Sequence, residues 1–169
     1  KLSQMVPTEI DTFFRMSPIH GKVHDEGAIM MQGVSANAGL FSNAMDLVHL
    51  FTMLVENGMT NEFKILSPQT IDLFTSTQYP NAGNRRGLGF DKPLLKYDSI
   101  KSSIAKGASF RSYGHSGYTG TIAWADPENG LIFIFLTNRV YPSRRKRAIY
   151  QLNVRPTIHQ LFYDYLKAQ

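Results

Sequence analysis

The chain has 169 residues, 43% of them apolar, with no cysteine and a net charge of +5. That is enough for one core, and it excludes disulfides, thiolate metal sites and a cysteine nucleophile. Its longest aliphatic and aromatic run, residues 131–136, falls far short of the roughly 18 apolar residues of a membrane helix. No basic, apolar leader is present, so no signal peptide is expected in these residues, and a chain that starts at lysine is expected to be cut from a longer one. The densest charge, Arg144-Arg-Lys-Arg147, lacks interleaved aromatic residues, so a solvated loop or helix start is expected there and no nucleic-acid partner.

Residues 1–40 read as loop-rich, broken by Pro7 and Pro18 and punctuated by Gly21, Gly27, Gly33 and Gly39. A short helix is predicted over residues 8–14, capped by Thr8. His20 and His24 would share a helix face able to hold a metal, but the surrounding Pro18, Gly21 and Gly27 oppose a helix. A polar surface loop is expected instead, with no metal. Residues 42–57 read as the clearest helix, with Ser42 as cap, Gly58 beyond its end, and Leu47, Leu50, Phe51, Leu54 and Val55 as one stripe. A shorter helix starts at Ser67 and Pro68 and is expected to turn Ile71 and Phe74 inward. A turn over 77–86, a short strand over 87–90 and a surface loop over 93–109 follow.

From Phe110 the pattern becomes strand-like. Residues 121–125 lead into the turn Asp126-Pro-Glu-Asn-Gly130, and the second arm is apolar at every position from Leu131 to Leu136, as in a strand covered on both faces. Residues 156–167 form a closing helix whose stripe of Ile158, Leu161, Phe162, Tyr165 and Leu166 is expected to cover the sheet. The organisation is α+β: a single incomplete domain over 1–169, helical and loop-rich over 1–84, with sheet strands and the closing helix over 85–169. A sheet with an arm buried on both sides needs more partners than these strands supply, so a missing piece is expected to complete it, and the piece alone is expected to be marginal or to self-associate.

The stretch Tyr113-Gly-His-Ser-Gly-Tyr-Thr-Gly-Thr121 combines three glycines with a histidine and hydroxyl side chains at the start of a strand pattern. Glycines there permit close backbone approach by a turn or a ligand, and the polar pair between them can face a substrate. Gly114-His-Ser-Gly-Tyr-Thr-Gly-Thr121, the strand after it, Asp126-Pro127, Leu136-Thr-Asn-Arg139 and the upstream Gly33-Val-Ser-Ala-Asn-Ala-Gly-Leu-Phe-Ser42 together resemble the C-terminal part of the serine β-lactamase-like family. That family includes class C β-lactamases, D,D-carboxypeptidases, D-aminopeptidases and esterases.

The resemblance implies part of the β-lactamase/transpeptidase-like fold and acyl-enzyme chemistry, with no cofactor. It implies that His115 brings a pH-dependent charge or a proton donor, that Ser116 binds the substrate carboxylate or carbonyl, and that Gly117 leaves room for the acyl group. The backbone N–H of Tyr118 would be half of an oxyanion hole, and Asn138 a substrate contact. A small-molecule or peptide substrate with an amide or ester bond follows, in a periplasmic or cell-envelope setting. The family's nucleophile lies in Ser-x-x-Lys, supported by Tyr-x-Asn. The literal Ser103-Ile-Ala-Lys106 and Tyr79-Pro-Asn81 stand in the wrong order and context, so both read as chance patterns. Asn37 stands where relatives often carry histidine. The missing motifs are therefore expected on the absent part of the domain, and the piece alone is expected to be inactive. The alternative is a non-catalytic module that binds cell-wall peptides.

Overall fold

The computed structural model describes residues 2–33 and 35–169. A β-hairpin opens it: β1 (Pro7–Asp11) pairs antiparallel with β2 (Ser17–His20). The helix predicted over 8–14 is therefore a strand and a tight turn. Thr8 does not cap; its hydroxyl donates to the Lys22 carbonyl at 2.8 Å. The turn is held by Asp11, whose buried carboxylate accepts from the backbone N–H groups of Phe13, Phe14 and Arg15 and from the Arg15 guanidinium.

Three helices follow: α1 (Glu26–Met30), α2 (Ala44–Val55) and α3 (Pro68–Thr75). Asn43, not Ser42, caps α2, exchanging side-chain bonds with Asp46. Its end matches expectation, with Gly58 at φ +86° donating to the Met53 carbonyl, while a Cβ there would strike the Leu66 carbonyl. Ser67 caps α3 as predicted. Of its two inward candidates only Ile71 is buried; Phe74 is exposed and Thr75 is buried in its place.

The main sheet has strand order β3-β4-β5, formed by β3 (Tyr113–Ser116), β4 (Ile122–Asp126) and β5 (Leu131–Phe135). The predicted turn joins β4 to β5, with Asp126 paired to Leu131 and Gly130 at φ +60°. Both faces are covered. Tyr113 and Ala125 pack with Phe51, Leu54 and Ile71 on one side, and Ile122, Trp124 and Phe133 pack with Ile104 on the other. The strand predicted over 87–90 is a turn, and only Asp91 bridges to Gly114. The 93–109 segment is not wholly superficial, because Ser102, Ile104 and Ala105 are buried against the sheet.

Two helices close the chain, α4 (Ala148–Gln151) and α5 (Val154–Lys167). α5 covers the sheet but uses a different face from the predicted one. Arg155, Pro156, His159 and Tyr163 are buried, and of the predicted stripe Ile158 packs against the core, while Leu161, Phe162, Tyr165 and Leu166 remain exposed. The anchors are polar and aromatic: Tyr163 donates to Asp126 at 2.8 Å, and His159 stacks on Phe133 with ring centroids 4.2 Å apart. Asp126 also accepts from the Ser109 backbone and hydroxyl and from Asn129, so its buried charge is fully bonded.

Arg144 overturns the solvated reading of its basic run. Its guanidinium grips Glu9, which is 1% exposed, through Nε at 3.1 Å and Nη2 at 2.6 Å, and reaches Glu26 through Nη1 at 2.6 Å. With the Ile10 N–H donating to the Pro142 carbonyl, this ties the first hairpin to the segment after β5. No helix among the described residues is long and apolar enough to cross a membrane.

Candidate active site

β3 lies at the sheet edge, with β4 on its inner side. Among the described residues its outer side pairs only with the Asp91 backbone, which exchanges two hydrogen bonds with Gly114 at 2.8 and 3.1 Å. Beyond that bridge the edge is open, and here His115, Ser116, Gly117 and Tyr118 come in succession. His115 is exposed and Ser116 half-buried. Gly114 has to be glycine, since a Cβ there would strike the Ala123 carbonyl and the Trp124 ring.

The His115 ring is defined by its two neighbours. Nδ1 lies 2.9 Å from the Ser116 carbonyl, which can only accept, and Nε2 lies 3.3 Å from Arg86 Nη1, which can only donate. Both contacts fit a neutral imidazole protonated on Nδ1. In this geometry the fixed positive charge at the edge is carried by Arg86.

After β3 the backbone turns. The Gly117 N–H donates to the Thr121 carbonyl at 2.8 Å and the Gly120 N–H to the Gly117 carbonyl at 3.0 Å. No hydrogen bond of the Tyr118 N–H occurs among the described residues, so this donor stands unengaged beside Ser116. The rest of Tyr118 is clamped. Its carbonyl accepts from Arg139 Nε at 2.8 Å and from the Tyr150 hydroxyl at 3.1 Å. Its ring stacks on His24 at 4.7 Å and 3°, and the Arg139 guanidinium lies 4.2 Å from the ring centroid. Burial lowers the His24 pKa below the ordinary imidazole value, with Arg144 acting in the same direction against Glu9, Glu26 and Asp25. A neutral His24 suits a stack shared with a cation on the far side of the ring. A Cβ at Gly117 would strike the Thr121 hydroxyl.

Asn138 lies apart from this group in its bonding. Its amide nitrogen donates to the carbonyls of Pro7 at 2.6 Å and Thr8 at 3.0 Å, strapping β1 to the end of β5. Asn37 bonds Ser35 and Asp25, the cap of α1; Val34, also within the motif matched over 33–42, lies outside the described residues. Ser103 and Lys106 sit in an irregular segment away from any helix start, and Pro80–Ala82 is a 3-10 turn. Among the described residues no cluster of three or more potential metal ligands occurs. A shallow depression of about 650 Å³ along residues 94–101 includes none of the motif's residues. From sequence, Arg86 and Tyr150 carry no signal, His24 reads as part of a polar surface loop and Arg139 only as part of the motif over 136–139. They come from separate segments, and no local spacing signals their convergence on Tyr118 and His115.

The family model described as Beta-lactamase matches residues 6–155. Among curated relatives, an N-acetylmuramyl-L-alanine amidase of Bacillus subtilis is 37% identical over 127 residues, covering 74% of this chain and 28% of its own. A protein of Escherichia coli O157:H7 named, provisionally, D-alanyl-D-alanine carboxypeptidase is 32% identical over 150 residues, covering 82% of this chain and 34% of its own. The chain thus spans about a third of these relatives. A crystal structure described as a β-lactamase from Mycobacterium bovis superposes with a TM-score of 0.55 at 23% identity, over 74% of this chain and 44% of that one, and shows the same fold.

Proposed function

The chain belongs to the β-lactamase family, and on that premise we propose that it forms the substrate-facing strand wall of a serine hydrolase that works through an acyl-enzyme. The observation that carries this reading is the open edge of β3, where His115 and Ser116 stand beside an unengaged Tyr118 N–H. A carbonyl oxygen that becomes negative during attack needs such a preorganised donor. An extended substrate can also lie along the strand edge beyond the Asp91 bridge.

In this reading Ser116 orients the substrate, His115 and Arg86 supply polar and positive groups, and Gly117 keeps the turn tight. Asn138 acts as a strap and contributes to the site through β1. The nucleophile, its lysine and the Tyr-x-Asn group come from the remainder of the protein, in keeping with a chain that spans about a third of its relatives. The chain by itself is inactive. The names of the relatives support a D-alanyl peptide or another amide or ester as substrate, and a cell-envelope setting for the whole protein.

The test is covalent labelling with a fluorophosphonate or a fluorescent penicillin, read by intact mass, on this chain and on the whole natural protein. One adduct on the whole protein alone is the expected result, and His115→Ala should slow it. An adduct on this chain at Ser103 or Ser116 would place the nucleophile here and overturn the reading. No adduct on either favours the alternative, a module that binds cell-wall peptides without cleaving them.

A further inference from the structure

The contacts that hold the fold use only part of the basic run over 144–147. Arg144 is paired with Glu9 and Glu26. Arg145, Lys146 and Arg147 are exposed, and none of the three makes an ion pair among the described residues. Their backbone, by contrast, is fixed. The Arg144 and Lys146 carbonyls accept from Arg139 Nη1 at 2.8 and 2.9 Å, and the Arg147 carbonyl accepts from the Tyr150 N–H at 3.0 Å. Arg139 Nε and the Tyr150 hydroxyl both donate to the Tyr118 carbonyl. One guanidinium and two hydrogen bonds therefore separate the run from Tyr118, a span of about one Debye length (about 8 Å) at physiological salt. Those bonds need only backbone groups, which any residue supplies, so the fold does not require the three positive side chains.

The charge around the open edge is one-sided. Glu9, Asp11 and Glu26 are bonded to Arg15 and Arg144, and Asp25 caps α1. These four acids outnumber the two arginines by two. Against them stand six further cations, none of them ion-paired among the described residues. Arg86 lies beside His115, Arg139 on the Tyr118 ring and Arg155 against the Tyr150 ring, and Arg145, Lys146 and Arg147 complete the set. Six cations less two unmatched acids leave the edge with four positive charges in excess.

We propose that the β3 edge receives an acidic peptide, and that Arg145, Lys146 and Arg147 form a rim that attracts it and sets a preference for carboxylate side chains. The inference rests on the β3 edge as the binding face, and it holds whether the bound peptide is cleaved or only held. A peptide extended along residues 115–118 has Arg86 at one end and the basic run beside the other, so carboxylates flanking the bound segment meet cations on both sides. Exposed charges add little as fixed pairs in water. They raise the encounter rate of an oppositely charged ligand instead, and the effect falls with salt.

The test is a fluorescence-anisotropy titration of two peptide amides, Glu-Ala-Glu-Ala and Gln-Ala-Gln-Ala, each carrying a neutral dye, into the whole natural protein. In about 20 mM salt the acidic peptide should bind at least about tenfold tighter, and at about 300 mM its advantage should shrink to about twofold, because the screening length falls from roughly 20 Å to roughly 6 Å. The triple variant Arg145→Gln, Lys146→Gln, Arg147→Gln should lose most of the low-salt advantage and bind the neutral peptide as the wild type does. It should also melt at the same temperature, since the carbonyls that hold Arg139 and Tyr150 are unchanged. No saturation by the acidic peptide at about 5 mM, equal binding of the two peptides, or an acid preference unchanged in the triple variant would each overturn the proposal. The fluorophosphonate adduct judges the hydrolase reading separately. An adduct without acid preference keeps that reading and removes this one, and acid preference without an adduct does the reverse.

Discussion

Acid should weaken this fold through one histidine. His159 is 1% exposed, stacked on Phe133, with Nδ1 accepting from the Ala105 N–H at 3.3 Å and Nε2 without a partner. Burial lowers its pKa from the ordinary 6.5 to about 4, against a weaker opposing pull from Asp126. Between those values the unfolded chain binds a proton that the folded chain refuses, so stability falls as pH falls, starting near the unfolded value and levelling off below the folded one. Integrated over that window, the loss is about 2 kcal/mol at pH 5 and about 3 kcal/mol below pH 4. Urea unfolding near pH 7.5 and pH 5 measures it. His159→Phe keeps the stack but cannot titrate, and it leaves the Ala105 N–H unpaired at a fixed cost of about 1–3 kcal/mol. Because the variant also removes the unpartnered Nε2–H, those two effects partly offset at neutral pH, and the variant should lose about 2 kcal/mol less than the wild type on going to pH 5. His24 also has a lowered pKa, but it contributes equally to both proteins. Equal acid sensitivity in the two would refute the assignment.

Arg144→Met leaves the Glu9 carboxylate buried with only Arg15 at 3.6 Å, so a loss of about 3 kcal/mol is expected in thermal unfolding, and Glu9→Gln in the same protein should restore part of it. Gly117→Ala drives a methyl into the Thr121 hydroxyl, so labelling of the whole protein should slow by at least about tenfold and recover in part with Thr121→Ala. Arg139→Lys cannot reproduce a planar group that bonds Tyr118, Tyr150 and the carbonyls of Arg144 and Lys146, and labelling should slow by about tenfold with little change in melting. Phe13 at 79% exposure and Leu40 at 88% are among many exposed large apolar side chains, so this chain alone should sediment as a dimer or larger species, and a monodisperse monomer would contradict that expectation.

What could be read from the residues was what short-range chemistry decides. The helix over Ala44–Val55 follows from a 3.6-residue period ended by a glycine, and the β4–β5 hairpin from a proline turn between apolar arms. Two failures have one cause. Of the stripe Ile158, Leu161, Phe162, Tyr165 and Leu166, Ile158 packs on the core as expected, but the rest of the inner face is chosen by His159 on Phe133 and Tyr163 on Asp126, contacts made across the fold. Likewise, Arg144 looks like a surface charge until the Glu9 carboxylate, far away in sequence, is brought to it. At the candidate site the glycine-flanked motif was visible, but the groups that hold it were not.

Those holding groups explain how the strand edge can be shaped before any substrate arrives. Tyr118 is fixed from three separate segments: His24 from the loop after β2, Arg139 from the segment after β5, and Tyr150 from α4. Its carbonyl and ring are engaged, while its N–H makes no hydrogen bond among the described residues. A peptide unit is rigid, and the Tyr118 N–H shares its unit with the Gly117 carbonyl, which accepts from the Gly120 N–H at 3.0 Å, so holding that carbonyl restrains the direction of the N–H as well. A donor restrained in this way does not have to reorganise when negative charge appears on a substrate oxygen, and this is the source of electrostatic stabilisation in acyl transfer. Arg15, 3.6 Å from Glu9, donates to the His24 carbonyl at 2.9 Å, so the ion pairs that tie the first hairpin to the end of the sheet also hold the residue on which Tyr118 stacks. Loosening that strap should therefore reach the β3 edge through Tyr118 without changing any residue of β3 itself.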